Sequence, residues 1–390
     1  MLLSSVSNAE QICVNSASDA CLTDPFPPIS SSNPVDVFDR TAEIATRCFY
    51  DQTFRGLDWG NEVINTKASL STASSRDDVR RVLRLLLGKL QASHTEFLLD
   101  TDQRYWALQS VFSHQIDGAP FYQIGAMFER HGHQWFVRSV FEDSPAAHSG
   151  LKRGDEIVSV NDKPLAPVES FSKVSPGRYT KVNIRRHAGG PVFTAWIKPV
   201  SEGTQRSMLR GTIASQKIIN LNGTRIGYFH LWAGTHDDFK ASLDQVARRM
   251  EQDADAMILD IRDGLGGASP EYLDPFLKLA PRIYSKPLYV LVNDGVKSGK
   301  ETLAYLLKTS GRATLIGTTT AGYYLGGRLF NINLGKSALY LAVCGDSPVS
   351  APIEGIGVSP DIEVGDPLPY THGRDPQLLR ALQIAVQRTN

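Results

Sequence analysis

Leu288-Tyr289-Val290-Leu291-Val292 is an unbroken run of branched and aromatic apolar residues, the pattern of a buried strand. Asn293-Asp294-Gly295 ends it with turn chemistry, and from Glu301 onward Leu303, Ala304, Leu306 and Leu307 recur at helical spacing. Ser298 is therefore expected where a buried strand hands over to a helix. A hydroxyl there stands above a sheet edge, close to helix N–H groups that have no partner within the helix and can stabilise an oxyanion. The same position also suits an ordinary N-cap serine.

Other segments carry equally plain periods. Residues 1–33 are rich in Ser, Asn and Pro and read as a loosely ordered arm. Residues 34–104 read as a helical cap: Val35, Phe38, Ile44 and Cys48 follow one face, and Val79, Val82, Leu83, Leu86, Leu87 and Leu90 another. An aromatic turn, Phe49-Tyr50-Asp51 to Gly56-Leu57-Asp58-Trp59, lies between them, and Ser93-His94-Thr95 reads locally as a surface loop with an exposed imidazole. Residues 105–200 shift to short strands, among them Phe121–Gly125, Gln134–Val137, Glu156–Val160, Val182–Ile184 and Phe193–Ile197. From 201 to 390 strands alternate with helices: Arg225–Leu231, Phe239–Met250, Asp255–Ile261, the Leu288 segment and Ala313–Ile316. Such alternation predicts an α/β core around a mainly parallel sheet, with ligands gathering at the strand C-termini. The fold class expected is multidomain α/β.

Composition removes several function classes. Lys+Arg 41 against Asp+Glu 41 leaves no net charge, so nothing global favours nucleic acid. No apolar run is long enough for a membrane span, and no signal-peptide core follows Met1. No Cys/His group has zinc-ligand spacing, so neither metal nor cofactor is expected. Of the four cysteines, Cys13 and Cys21 could close a small loop in an oxidising compartment, while Cys48 and Cys344 read as buried thiols. The loop Arg262-Asp263-Gly264-Leu265-Gly266-Gly267 lacks nucleotide-binding spacing and suits close backbone approach to a substrate.

Ser144-Pro145-Ala146-Ala147-His148-Ser149-Gly150-Leu151 through Lys163-Pro164-Leu165 resembles a PDZ domain of the bacterial protease-associated type. The resemblance implies a groove that takes an extended peptide as an added strand, with Ile124, Gly125 and Ala126 in its carboxylate-binding loop. The order of helical cap, Ser-His-Thr, PDZ-like region, Asp-Ile-Arg-Asp-Gly-x-Gly-Gly, strand–Ser–helix, Gly-x-x-Thr-x-Gly and Glu354-Gly355-Ile356-Gly357-Val358-Ser359-Pro360-Asp361 resembles tail-specific, C-terminal processing serine peptidases. That family implies a peptidase core of the ClpP/crotonase kind. Its usual lysine base follows Gly-x-x-Thr-x-Gly, where this chain has Tyr323. The departure points to the family's Ser-His-Glu branch, typified by tricorn protease.

Carried over position by position, the resemblance makes Ser298 the nucleophile, His94 its base and Glu354 the group that orients the imidazole, with help from Ser93. The amide of Gly299, with that of Gly266 or Gly267, would bind the oxyanion. Lys297 and Lys300 read as solvated surface lysines, and His230 and His372 as structural. The expected activity is endoproteolysis of a polypeptide substrate by a periplasmic or secreted protein, with a homodimer as the assembly that the resemblance allows. The alternative is an inactive relative that binds polypeptide or an apolar ligand, as the same scaffold does in an interphotoreceptor retinoid-binding protein.

Overall fold

The computed structural model describes residues 21, 26–172, 177–277, 283–345 and 352–389. Apart from Cys21 and 26–33, the expected N-terminal arm, with Cys13, lies outside the described residues.

The chain opens with α1 (Pro34–Cys48), whose Asn33 side chain caps Val35 N and whose first residue is a proline with no N–H to satisfy. α2 (Trp59–Ala68) starts at Asp58, which accepts from Asn61 N, and follows directly on the expected aromatic turn. α3 (Arg76–Gly88) is closed by a reciprocal capping box between Ser75 and Asp78. Val79, Val82, Leu83, Leu86 and Leu87 form its buried face, as the periodicity predicts, whereas Val35 at the start of α1 is exposed. β1 (Glu96–Leu99) follows, where a helical segment was expected, and α4 (Gln103–Phe112) runs across the expected boundary at 104/105.

Next comes a run of short strands: β2 (Phe121–Gln123), β3 (Ala126–His131), β4 (Gln134–Val140), β5 (Glu156–Val160), β6 (Thr180–Arg185), β7 (Val192–Ile197) and β8 (Val200–Glu202). β3 to β7 form an antiparallel sheet in sequence order, while β2 pairs with β8. α5 (Thr204–Ala214) leads into β9 (Lys217–Leu221) and β10 (Thr224–His230), then α6 (Asp237–Asp253) and β11 (Ala256–Asp260). β12 (Leu288–Val292), α7 (Gly299–Thr309), β13 (Thr314–Gly317), β14 (Gly326–Asn333), β15 (Ser337–Cys344), β16 (Ile362–Glu363) and α8 (Pro376–Thr389) complete the chain.

The central sheet has the order β16-β13-β12-β11-β10-β9, parallel throughout except for the β10/β9 pair. Every residue of β11 and β12 is buried, because helices cover both faces of a parallel sheet. Ala381, Ile384 and Ala385 of α8 pack on one face, against Tyr228, Ile258, Tyr289 and Leu291. The other face, with Phe229, Leu259, Val290 and Val292, packs against α6 and α7. The fold is thus multidomain α/β with a mainly parallel core sheet.

Two long-range ties bear on the site. β1 pairs antiparallel with β15, Glu96 opposite Tyr340, which draws the Ser93-His94 loop onto the core. Arg138 of β4 donates to Asp263 at 3.1 Å, Asp294 at 2.6 Å and Glu129 at 3.2 Å, binding the antiparallel sheet to the loops that follow β11 and β12. Burial works against the charged guanidinium, yet Asp263, Asp294 and Asp366 hold its pKa above the usual value.

Cys48 is not a thiol: it forms a disulfide with Cys21 across a separation of 27 residues, and Cys344 is a buried thiol. Cys21 and Cys48 share a core cluster with Phe26, Phe38 and Phe330, so sequence spacing could not reveal the pairing. Reduction, or Cys48→Ser, is expected to cost about 2–4 kcal/mol by restoring freedom to the unfolded chain. A lower melting temperature with reductant checks this, and an unchanged one contradicts it.

Candidate active site

Three consecutive parallel strands deliver three loops to one edge. After β11 comes the glycine loop 262–267, after β12 the serine turn 293–298, and after β13 the segment 318–323. Ser298 sits at φ 56°, ψ −132°, a backbone region that non-glycine residues avoid, as the residue immediately before α7. Such strain costs on the order of 1–3 kcal/mol and persists only where the surroundings enforce it. Here they do. Ser298 N donates to Tyr323 O at 2.7 Å and to Glu301 Oε2 at 3.3 Å. Gly266 lies against it, so that a Cβ there would come within 2.8 Å of Ser298 Cβ, and a Cβ on Gly299 would come within 2.4 Å of Ala268 O. Only glycines let these two loops meet. Among the described residues the amides of Gly266, Gly267 and Gly299 donate to no protein group.

Glu301 is the organiser that sequence reasoning passed over. Its carboxylate accepts from Thr320 Oγ1 at 2.5 Å, Gly322 N at 2.7 Å and Tyr323 N at 2.9 Å, besides Ser298 N. Burial raises its pKa and these donors pull it back only in part. One side chain therefore holds the serine turn to the segment after β13. Glu301→Ala would strand several buried donors, each costing about 1–3 kcal/mol. Expected results are a lower denaturation midpoint and slower acylation of Ser298 by a fluorophosphonate; wild-type values for both would contradict this role.

Across from the serine turn, Ser93, His94 and Glu354 are joined by hydrogen bonds despite lying 261 positions apart at the extremes of the set. Ser93 Oγ lies 3.0 Å from His94 Nδ1 and donates to Glu354 Oε2 at 2.8 Å. Glu354 also accepts from Ser93 N at 2.9 Å, Tyr324 N at 2.8 Å and Leu325 N at 3.2 Å. The carboxylate can only accept, so the Ser93 proton points to it. Ser93 Oγ must then accept from His94 Nδ1–H, which leaves the lone pair on Nε2. His94 is itself at positive φ and buried, not the exposed imidazole of the local reading. Burial first, then Arg104 and Lys297, push its pKa from 6.5 down to about 3.

His94 and Ser298 adjoin through Tyr323. Its carbonyl holds the Ser298 amide, and its ring centroid lies 6.5 Å from the His94 ring. No hydrogen bond joins His94 to Ser298 among the described residues. Ser298 is partly exposed, and Lys297 Nζ stands 5.0 Å over the Tyr323 ring.

Lys300 departs from expectation: it is buried, not solvated. Its Nζ donates to Trp232 O and Asp263 O, each at 3.0 Å, and burial lowers its pKa to about 7. It shares the buried face of α7 with Leu303, Ala304 and Leu307 and makes no bond to Ser298. His230 is buried on Trp232, its Nε2 3.1 Å from Arg262 O, and the His372 ring meets the His187 ring edge-on. In the PDZ-like region Ile124 is buried, Gly125 O accepts from Phe141 N at 2.9 Å, and Ala126 begins the outer strand of its sheet. The described residues contain no cluster able to hold a metal, and no helix among them is long and apolar enough to cross a membrane.

Residues 276–364, which carry Ser298, Glu301 and Glu354, match peptidase family S41, and residues 136–175 match a PDZ domain. The chain carries the PDZ and peptidase domains of family S41. It is accordingly a serine-type peptidase, a hydrolase acting on polypeptide. A carboxyl-terminal-processing protease of Synechocystis sp. is 24% identical over 83% of this chain and 79% of that protein. Among solved structures, the photosystem II D1 C-terminal processing protease superposes with a TM-score of 0.53 at 21% identity, covering 86% of this chain and 93% of the other. The tricorn protease superposes with a TM-score of 0.55 at 16% identity, over 91% of this chain and 37% of that one. At these identities the two superpositions show the fold of this S41 chain and leave its catalytic residues to its own geometry.

Proposed function

We propose that this S41 chain is an endopeptidase in which Ser298 is the nucleophile and His94 its general base, with Glu354 acting on His94 through the Ser93 hydroxyl. The observation that carries this reading is the hydrogen-bonded series Glu354–Ser93–His94, which leaves the Nε2 lone pair on an imidazole 6.5 Å from the ring of Tyr323, the residue whose carbonyl holds the Ser298 amide. Attack requires Nε2 and Ser298 Oγ to close to hydrogen-bond reach as substrate binds. Nε2 then takes the hydroxyl proton while Oγ bonds to the scissile carbonyl carbon. The imidazolium shares its Nδ1 proton with Ser93, whose own proton leans further onto Glu354, so the charge is balanced without a buried lone cation. The carbonyl oxygen, now an anion, would sit against the free amides of Gly299 and of Gly266 or Gly267. Collapse expels the amine, protonated by His94, and water repeats the sequence on the acyl-enzyme.

This reading takes the Ser-His-Glu arrangement over the Ser/Lys one. Two observations support it: Tyr323 has no basic group, and Lys300, whose pKa burial lowers to about 7, is committed to two carbonyls away from Ser298. The PDZ domain would recognise or gate the polypeptide, its Arg138 bound to the Asp263 loop that shapes the site. The Cys21–Cys48 disulfide supports a periplasmic or secreted location, since such bonds persist in oxidising compartments. One observation favours the second reading, a polypeptide-binding protein with a dormant site: the missing hydrogen bond between His94 and Ser298. Incubation of the intact chain with an unfolded protein at neutral pH separates the two. Fragments that vanish with Ser298→Ala support the peptidase; intact substrate with wild type overturns it.

A further inference from the structure

β3 is the outer strand of the five-stranded antiparallel sheet, and its inner side pairs with β4 from Ala126 opposite Val140 to His131 opposite Gln134. An outer strand leaves a row of N–H and C=O groups without a strand partner, which is a template for another extended segment. In this chain the row is not bare. Gln103, the first residue of α4, reaches over from outside the sheet. Its Nε2 donates to Ala126 O at 3.0 Å, and its Oε1 accepts from Phe128 N at 3.4 Å.

Ala126 O and Phe128 N are two residues apart on one edge, the acceptor and donor that one residue of an added parallel strand would engage. A primary amide offers the same two functions, one N–H and one C=O. Phe128 is partly exposed and stacks at 6.1 Å on Phe171 of the short helix Glu169–Ser172, which adds an apolar wall beside the edge.

We propose that Gln103 is an internal competitor for this edge: its side-chain amide occupies the place of one residue of an extended, apolar peptide, which must displace it to dock along β3. The proposal rests on the reading of the PDZ domain as a peptide-recognition element and adds what holds that element closed. Because two hydrogen bonds are exchanged for two, the backbone exchange at this position is nearly neutral. Peptide affinity is then set by the strand pairing beyond it, at Phe128 O and Arg130 N, and by the apolar contact.

The test uses the full chain with Ser298→Ala, to prevent cleavage, and a fluorescein-labelled ten-residue peptide ending in apolar residues. Removing the competitor with Gln103→Ala is expected to tighten binding by about five-fold or more, since less of the protein is held in the closed form. Gln103→Glu, which loses the N–H donor and sets a carboxylate against Ala126 O, should tighten it as well. Independently, hydrogen exchange at the Phe128 amide should quicken in Gln103→Ala without peptide. Unchanged or weaker binding by Gln103→Ala overturns the proposal, as does an unchanged Phe128 exchange rate. Absence of binding by either protein overturns it together with the peptide-recognition reading. Fluorophosphonate labelling of Ser298 in the otherwise wild-type chain reports separately on the peptidase chemistry.

Discussion

Ser298→Ala is expected to lower cleavage of an unfolded polypeptide by about 10⁴-fold or more, to the level of the uncatalysed reaction plus what oriented binding provides. The size of the effect follows from chemistry. Ser298 stands where three loops at the C-terminal ends of parallel strands meet the amides of a helix start, and the nearby Thr320 hydroxyl is committed to Glu301. Folding should survive the change, because the turn is held through the Ser298 backbone: its amide donates to Tyr323 O and Glu301, and its carbonyl accepts from Glu301 N at 2.7 Å. Matching circular dichroism and melting curves alongside lost cleavage would show that the chemistry alone was removed. Retained cleavage at more than a hundredth of the wild-type rate would mean that another group attacks.

His94→Ala should produce a loss of similar order, since a serine hydroxyl without its base is a weak nucleophile. The pH dependence is more telling. Catalysis needs the neutral imidazole, and burial with the nearby Arg104 and Lys297 holds the His94 pKa at about 3, not 6.5. The acid limb of kcat/KM should therefore lie well below pH 6, where a solvated histidine would already have cost most of the rate. Stability moves with the same proton. The unfolded chain binds it once pH falls below 6.5 and the folded chain only near 3, so stability is lost progressively as pH falls through that window. Initial rates at pH 5 must accordingly be read before unfolding intervenes. A kcat/KM limb at pH 6.5 would contradict a buried neutral base. Ser93→Ala would leave Nδ1 without its acceptor and Glu354 Oε2 with its two backbone donors alone, and should lower kcat without a matching change in KM.

Much of this architecture was readable from local pattern, and the exceptions share a cause. Leu288–Val292 reads as a buried strand because five consecutive apolar residues suit a strand covered on both faces, and β12 is buried at every position. The handover to α7 at Ser298 follows from turn residues and helical spacing alone. What escaped is whatever depends on contacts made far along the chain. His94 looks like a loop residue until β1 pairs with β15 and buries it against Tyr340, 5.2 Å away. Cys48 finds Cys21 and not a thiol's fate because α1 packs against residues of the arm.

Lys300 carried a signal that could have been used. It lies three, four and seven positions before Leu303, Ala304 and Leu307, so it belongs to the apolar stripe of α7, and the stripe is buried. Weighing it only by its relation to Ser298 concealed that. Glu301 carried only the Ser-x-x-Glu spacing of a capping box from Ser298; its wider meaning is set by the amides of Gly322 and Tyr323, which arrive with the loop after β13. Asp58 at the start of α2 announces that helix through its capping position, at the end of the aromatic turn.

The most direct measurement of the central claim is mass-spectrometric mapping of a fluorophosphonate adduct on the wild-type chain at neutral pH, repeated with His94→Ala. A single adduct on Ser298 that disappears in the variant is the result predicted, because phosphonylation needs the same base-assisted attack as peptide hydrolysis. No adduct on Ser298 in the wild type, or one formed equally fast without His94, would contradict it.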